Sequence, residues 1–294
     1  MRRVLWGATS ALLLGAGVAV ATQTQPDVQV KTIPVAGSVY MLEGQGGNIG
    51  ACVGPDGILI VDDQYERMAD AVRAALTALN PGPLKFILNT HYHGDHVGGN
   101  EIFGKEGTII AHENVRNRVT VPQQRGERTV EPLDPSGWPV VTFLDKVKVH
   151  FNGEDIQFIH LPAGHTDGDG IVFFPKSNVI HMGDLLFSGR FPRVDVEGGG
   201  SVDGYLKNLD WVSLNLPKDA KVIPGHGPLS TMDDVRAAAG MIRETSEYVK
   251  KLIAEKKGLD EIKKAGLPEK FKSFDWQFIT TDRWIETLYA AYSK

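Results

Sequence analysis

The chain has 294 residues, enough for one large domain or two small ones, and 42% hydrophobic residues provide for a substantial core. Its formal charge of −5 excludes a sequence-independent grip on nucleic acid, which needs a basic surface. One cysteine, Cys52, excludes an internal disulfide.

Residues 1–21 read as a signal peptide. Arg2 and Arg3 precede an apolar run over 11–21 that ends in the small-x-small pattern Ala19-Val20-Ala21. The run is short for a bilayer span, so export and cleavage near Ala21 are expected, with no stable membrane anchor afterwards. The expected localisation is periplasmic or secreted. Removal leaves 29 basic residues against 36 acids, a formal charge of −7.

In the remaining single domain, residues 22–294, short strands are expected at Val28–Ile33, Val39–Glu43, Asn48–Val53 and Ile58–Asp62. Cys52 falls inside one of them and reads as a packed core thiol. Asp62 and Asp63 end the fourth strand. One reading makes at least one of them a cap for the next helix. The other gives Asp62 a hydrogen bond to a metal-bound histidine. Residues 64–79 have helical periodicity, stopped by Pro81.

The strand Leu84–Leu88 then runs into Asn89-Thr90-His91-Tyr92-His93-Gly94-Asp95-His96-Val97-Gly98-Gly99, where three of the nine histidines and a carboxylate fall within six residues. Imidazole and carboxylate suit a divalent ion such as zinc. In extended chain His91 and His93 point the same way, and Gly94 lets Asp95 and His96 face a second point. A further strand, Thr108–Ala111, leads to a short helix over 113–119 that begins at His112. Residues 120–139 are polar and rich in Pro and Arg, either a substrate-facing loop or a surface excursion.

A second group of strands is expected over 140–143, 147–151, 156–160, 170–174 and 179–181, in which His150, His160 and His181 read as structural. Helices follow over 203–214, about 231–257, and 282–292, forming a helical C-terminal segment. Their lysines alternate with acids and read as a solvated face. Strands and helices repeat in two halves, which predicts two mixed sheets packed face to face with helices outside, a four-layer αββα sandwich.

Three strand ends each place a glycine before a metal donor: Gly164-His165-Thr166, Gly183-Asp184 and Gly225-His226-Gly227. With the first cluster they supply five histidines and two aspartates, enough for two ions. In this order the motifs resemble the metallo-β-lactamase-fold hydrolases across the mature chain. The resemblance implies one zinc ion on His91, His93 and His165, a second on Asp95, His96 and His226, and Asp184 bridging. It further implies a dinuclear metallohydrolase in which metal-activated water attacks the carbonyl of a small-molecule substrate, with Asp95 as the catalytic residue that orients the nucleophile and shuttles its proton. The expected substrate is a cyclic amide or ester, a β-lactam or lactone, which would place the chain in antibiotic catabolism if a β-lactam. Phe187 stands where one subclass carries a substrate-holding lysine, and Arg190 or Arg193 are candidate replacements, with surface or packing roles equally open. A thioesterase and a mononuclear iron sulfur-dioxygenase of the same fold are the alternatives. No obligate protein partner is indicated.

Overall fold

The structure is a computed structural model that describes residues 29–293. The expected signal peptide, residues 1–21, lies outside the described residues. No helix among the described residues is long and apolar enough to cross a membrane.

Four strands, β1 (Lys31–Ala36), β2 (Val39–Glu43), β3 (Ile49–Gly54) and β4 (Gly57–Val61), form an antiparallel meander. The first begins later than the expected Val28–Ile33. Helix α1 (Ala69–Leu79) crosses over to β5 (Leu84–Asn89), parallel to β4. Two single-turn helices, α2 (Gly94–Val97) and α3 (Asn100–Phe103), lead to β6 (Thr108–His112), parallel to β5, and then to α4 (Glu113–Val119). A small hairpin, β7 (Gln123–Arg125) and β8 (Arg128–Val130), stands within the stretch that the sequence left irregular. β9 (Val141–Phe143) completes a seven-stranded sheet.

The second sheet has six strands: β10 (Lys146–Phe151), β11 (Glu154–His160), β12 (Gly170–Phe174), β13 (Val179–His181), β14 (Lys221–Ile223) and β15 (Ser230–Thr231). Between and after its last strands run α5 (Val202–Asn215), α6 (Met232–Ala254), α7 (Leu259–Ala265) and α8 (Thr281–Tyr292). α6 starts at a capping box, in which Thr231 and Asp234 each accept from the other's backbone N–H.

Alternation along the strands builds the layers. In β4, Leu59 and Val61 enter the core between the sheets with Leu88, Phe158, Val172 and Ile223. Ile58 and Ile60 point the other way, against Val72 and Leu76 of α1. In the second sheet Val179 faces the inter-sheet core, whereas Ile180 and Val222 pack with Leu209, Ile242 and Trp284 of α5, α6 and α8. Because both faces of these strands are covered, they read as near-continuous apolar runs. The result is the expected four-layer αββα sandwich of two mixed sheets.

The topology gathers one set of strand ends. β4 and β5 run parallel, as do β13 and β14. β11 is antiparallel to β12, which is antiparallel to β13, so β11 shares the direction of β13 and β14. The loops bearing Asp62, His91–His96, His165, Asp184 and His226 follow the C-terminal ends of β4, β5, β11, β13 and β14, where α/β folds place ligands.

Candidate metal centre

His93 is the N-cap of helix α2, and its extended backbone (φ −70°, ψ 146°) breaks direction between His91 and the turn carrying Asp95 and His96. His91 Nε2 lies 3.1 Å and His165 Nε2 2.8 Å from His93 Nδ1, so three ring nitrogens converge. Asp184 Oδ2 approaches the same point, 3.7 Å from His91 Nε2 and 3.3 Å from His165 Nε2. Its other oxygen, Oδ1, lies 3.0 Å from His96 Nε2 and 3.3 Å from His226 Nε2. Asp95 Oδ2 joins that second group, 3.2 Å from His226 Nε2 and 3.7 Å from His96 Nε2. The two groups, His91–His93–His165–Asp184 and Asp95–His96–His226, thus share one carboxylate through different oxygens. All seven predicted ligand residues are brought together.

These residues fit divalent ions. His96 Nε2 and Asp184 Oδ1 are buried and point into the centre, 3.0 Å apart but misaligned for a hydrogen bond, and no other group satisfies them. Unsatisfied buried polar atoms are costly, and a cation satisfies both. Backbone space is reserved as well. A Cβ on Gly47 would fall on the His96 ring, and one on Gly225 would fall on Asp184 Oδ1.

Electrostatics points the same way. Burial pushes His91 well below the usual imidazole range and His165 down to about 3, which keeps both as neutral ligands. Burial also opposes charge on His96 and His226. There the surrounding carboxylates prevail, Asp184 foremost, raising His96 well above its ordinary value and His226 to about 9. Asp184 is held well below the carboxylate range because the histidines around it outweigh the burial that opposes its charge. The donor set demands positive charge at its centre, which protons or metal ions can supply.

Hydrogen bonds on the far side of each ring fix its orientation. Asp62 Oδ2 lies 2.7 Å from His96 Nδ1. The same carboxylate accepts from the Thr90 backbone N–H at 2.7 Å and the Thr90 hydroxyl at 2.8 Å. The capping alternative fails for both aspartates, since no side chain caps the helical turn at Glu66 or α1, and Asp63 instead accepts from the Gly99 N–H at 2.9 Å. Asp62 and Gln64 are fully buried with φ of 64° and 62°, a left-handed conformation uncommon for non-glycine residues. The chain accepts this bend where it turns Asp62 beneath His96.

Three contributors were missed in the sequence. Asp195 Oδ2 lies 2.6 Å from His93 Nε2 and accepts from the Tyr92 hydroxyl at 2.9 Å. Asp169 accepts from the backbone N–H of His165 at 2.6 Å and of Thr166 at 3.0 Å, clamping the His165 loop. Asn48 donates to the carbonyls of Pro224 and Gly227, both at 2.9 Å, holding the His226 loop across the sheets. Asp195 precedes Gly198-Gly199-Gly200, and that glycine run was the available signal. A Cβ on Gly198 would fall on the Tyr92 hydroxyl and the Asp195 carboxylate.

The other histidines stay outside the centre. His181 Nε2 bonds the Asn48 carbonyl at 3.0 Å, and His150 pairs with Asp155 at the surface. His160 stacks on His112, ring centroids 3.7 Å apart, and His112 caps α4 by accepting from Asn114 N–H. Cys52 is buried in the inter-sheet core, and burial raises its thiol above the usual range.

A cavity of about 610 Å³ opens over the second group, lined by Asp95, Asp184, His226, Phe187, Arg190 and Trp276 among others. Among the described residues, no serine, threonine or cysteine lines it.

Residues 54–226 match the model of the metallo-beta-lactamase superfamily. The chain is 26% identical to the probable metallo-hydrolase YqgX of Bacillus subtilis over 48% of this chain and 68% of that protein. It is 23% identical to metallo-beta-lactamase IND-1 of Chryseobacterium indologenes over 64% of this chain and 70% of that one. It also matches a hydroxyacylglutathione hydrolase of Synechococcus, 28% identical over 48% of each chain. Among solved structures, a metallo-beta-lactamase from Pontibacter korlensis superposes with a TM-score of 0.63 at 15% identity, covering 73% of this chain and 99% of that one. The family match spans more than half of the sequence and contains every residue of both donor groups. The chain belongs to the metallo-beta-lactamase superfamily of metallo-hydrolases.

Proposed function

We propose that the chain is an exported hydrolase that uses two zinc ions to cleave a cyclic amide or ester, a β-lactam or a lactone. The observation that carries this reading is the division of Asp184, one oxygen toward each donor group. His91, His93 and His165 would hold one ion, Asp95, His96 and His226 the other, and Asp184 would serve both. When bound, such ions acidify a water molecule and polarise a carbonyl.

The chain's own residues supply the rest. With no serine, threonine or cysteine among the described residues of the cavity wall, where Tyr65 supplies the hydroxyl, the nucleophile of this reading comes from solvent. Asp95 is the carboxylate of the second group that faces the cavity, its side chain 22% exposed, and it stands where it can accept the proton of an attacking water. Asp62 and Asp195 hold His96 and His93 so that Nε2 of one and Nδ1 of the other face the centre. Phe187 stacks on His226 with centroids 5.1 Å apart, shielding that edge from water.

A thioesterase is the second reading, favoured by the match to hydroxyacylglutathione hydrolase. A one-metal iron sulfur-dioxygenase would leave the complete second group, Asp95, His96 and His226, without a task. Export rests on the pattern of residues 1–21. The test is turnover of a chromogenic cephalosporin, a lactone and a thioester by the zinc-loaded protein. Hydrolysis of the cephalosporin or lactone is expected. Cleavage of the thioester alone selects the second reading, and no turnover of any overturns the hydrolytic assignment.

A further inference from the structure

Two of the three histidines in the first donor group lean on one short loop. His165 Nδ1 donates to the Arg193 carbonyl at 2.8 Å, and His93 Nε2 lies 2.6 Å from Asp195 Oδ2. The Asp195 backbone N–H also donates to the His165 carbonyl at 2.9 Å. His91, by contrast, is held by its own neighbour, with the Thr90 hydroxyl 3.1 Å from Nδ1. A partner on the far nitrogen fixes the tautomer and the aim of a ligand ring. The shape of residues 193–195 therefore sets how His93 and His165 present their inner nitrogens.

Nothing regular shapes that loop from within, since residues 191–195 belong to no strand or helix. Its anchor is Phe191, which is fully buried and stacks on Trp284 with ring centroids 5.9 Å apart. Both backbone polar groups of Phe191 are taken by one segment further along the chain. The N–H donates to the Phe274 carbonyl at 2.8 Å, and the carbonyl accepts from Trp276 Nε1 at 2.9 Å. Trp284 is fixed to α6 in turn, donating from Nε1 to the Thr245 hydroxyl at 3.0 Å. The loop lies inside the family-matched residues 54–226, whereas residues 274–284 lie outside them.

We propose that residues 274–284 are a positioning latch for the first donor group, with Trp276 as the positioning residue that acts through the Phe191 carbonyl. Phe191 stands two residues before Arg193 and four before Asp195, so release of the latch loosens the partners of His165 and His93 together. His96 keeps its own partner, Asp62 at the end of β4, and stays out of the coupling. Coupling of this kind is reciprocal: an ion in the first group tightens the latch as much as the latch tightens the ion. It rests on metal ions filling the two groups, as in the proposed function, and holds whichever bond is cleaved.

Hydrogen exchange and cobalt binding on the full chain test it. Zinc loading should slow amide exchange at 191–195 and at 274–284 together, and more than in α1. Trp276→Phe keeps an aromatic ring beside Phe187, whose centroid is 6.0 Å away in the parent, and removes only the N–H donor. It should weaken the first cobalt ion about 2- to 10-fold, the scale of one net hydrogen bond, and shift that ion's visible spectrum while the second ion is unaffected. Phe191→Leu loses the stack on Trp284 but keeps the backbone bonds, and it should act in the same direction, which covers a Trp276 variant that fails to fold. Exchange at 274–284 that ignores zinc overturns the proposal, as does a Trp276→Phe protein with both cobalt affinities of the parent. Equal weakening of both ions also overturns it, since the segment then supports the fold as a whole. None of these readouts uses turnover, so a protein that binds metal but hydrolyses neither cephalosporin, lactone nor thioester counts against the proposed function alone.

Discussion

Asp62 and His96 form a fully buried pair, carboxylate oxygen to ring Nδ1 at 2.7 Å, that ties the end of β4 to the second donor group. Asp62→Asn keeps the left-handed backbone, which asparagine tolerates, but replaces an anionic acceptor. Affinity for the second metal ion should fall 10- to 100-fold with the first ion retained. Chelator competition followed by metal analysis reads this. Unchanged affinity at both sites would show that Asp62 only shapes the loop.

Asp195 plays the corresponding part for His93, so Asp195→Asn should weaken the first ion by a similar factor. With cobalt as the probe, the visible spectrum of the first site should change while that of the second stays. A variant that loses both ions together would point to collapse of the 195–200 loop rather than a role at His93.

Much of this centre was legible in the sequence because its donors sit in short motifs at strand ends. The strand and helix periods placed those ends in one αββα sandwich, and glycines marked the tight turns. Asp195 is harder to read, because it meets His93 across 102 residues and the glycine run that follows it marks a tight loop without naming a partner. Of the two readings open for the Asp62-Asp63 pair, the cap fails for another reason. An aspartate before a helix usually turns its side chain to the helix N–H groups, but here the left-handed backbone at Asp62 and Gln64 sends both carboxylates inward. Trp276 and Phe278 lie between the expected helices and carry no motif, and only the chain's return to Phe191 places them at the cavity.

Asp95→Asn should leave the fold intact and cut turnover by orders of magnitude, since the amide cannot accept the proton of the attacking water. Circular dichroism and steady-state kinetics on the preferred substrate separate the two effects. Turnover near that of the parent would remove Asp95 from the mechanism.

Gly225→Ala places a methyl group on Asp184 Oδ1. Relief requires backbone or carboxylate movement, and overpacking of this kind costs about 1–3 kcal/mol. The variant should unfold at lower denaturant and bind the second ion more weakly. Unaltered metal binding would mean that the loop relaxes without disturbing Asp184.

The stacked His112–His160 pair makes stability depend on pH. Burial lowers both rings, His112 to about 4, so the folded protein keeps them neutral where an unfolded chain protonates them. Unfolded imidazoles bind protons below about pH 6.5, so the stabilising effect is present above that and is lost as pH falls toward 4. His112→Asn, which retains a capping side chain, should flatten the fall in unfolding midpoint between those limits. An equally steep fall in the variant would assign it to other groups.

The central claim is a two-metal hydrolytic centre, and its most direct test is metal content of the purified protein measured together with cephalosporin, lactone and thioester turnover. Two zinc ions per chain, with hydrolysis that disappears on chelation and returns with zinc, is the predicted result. A single iron per chain, or full activity after all metal is removed, would contradict it.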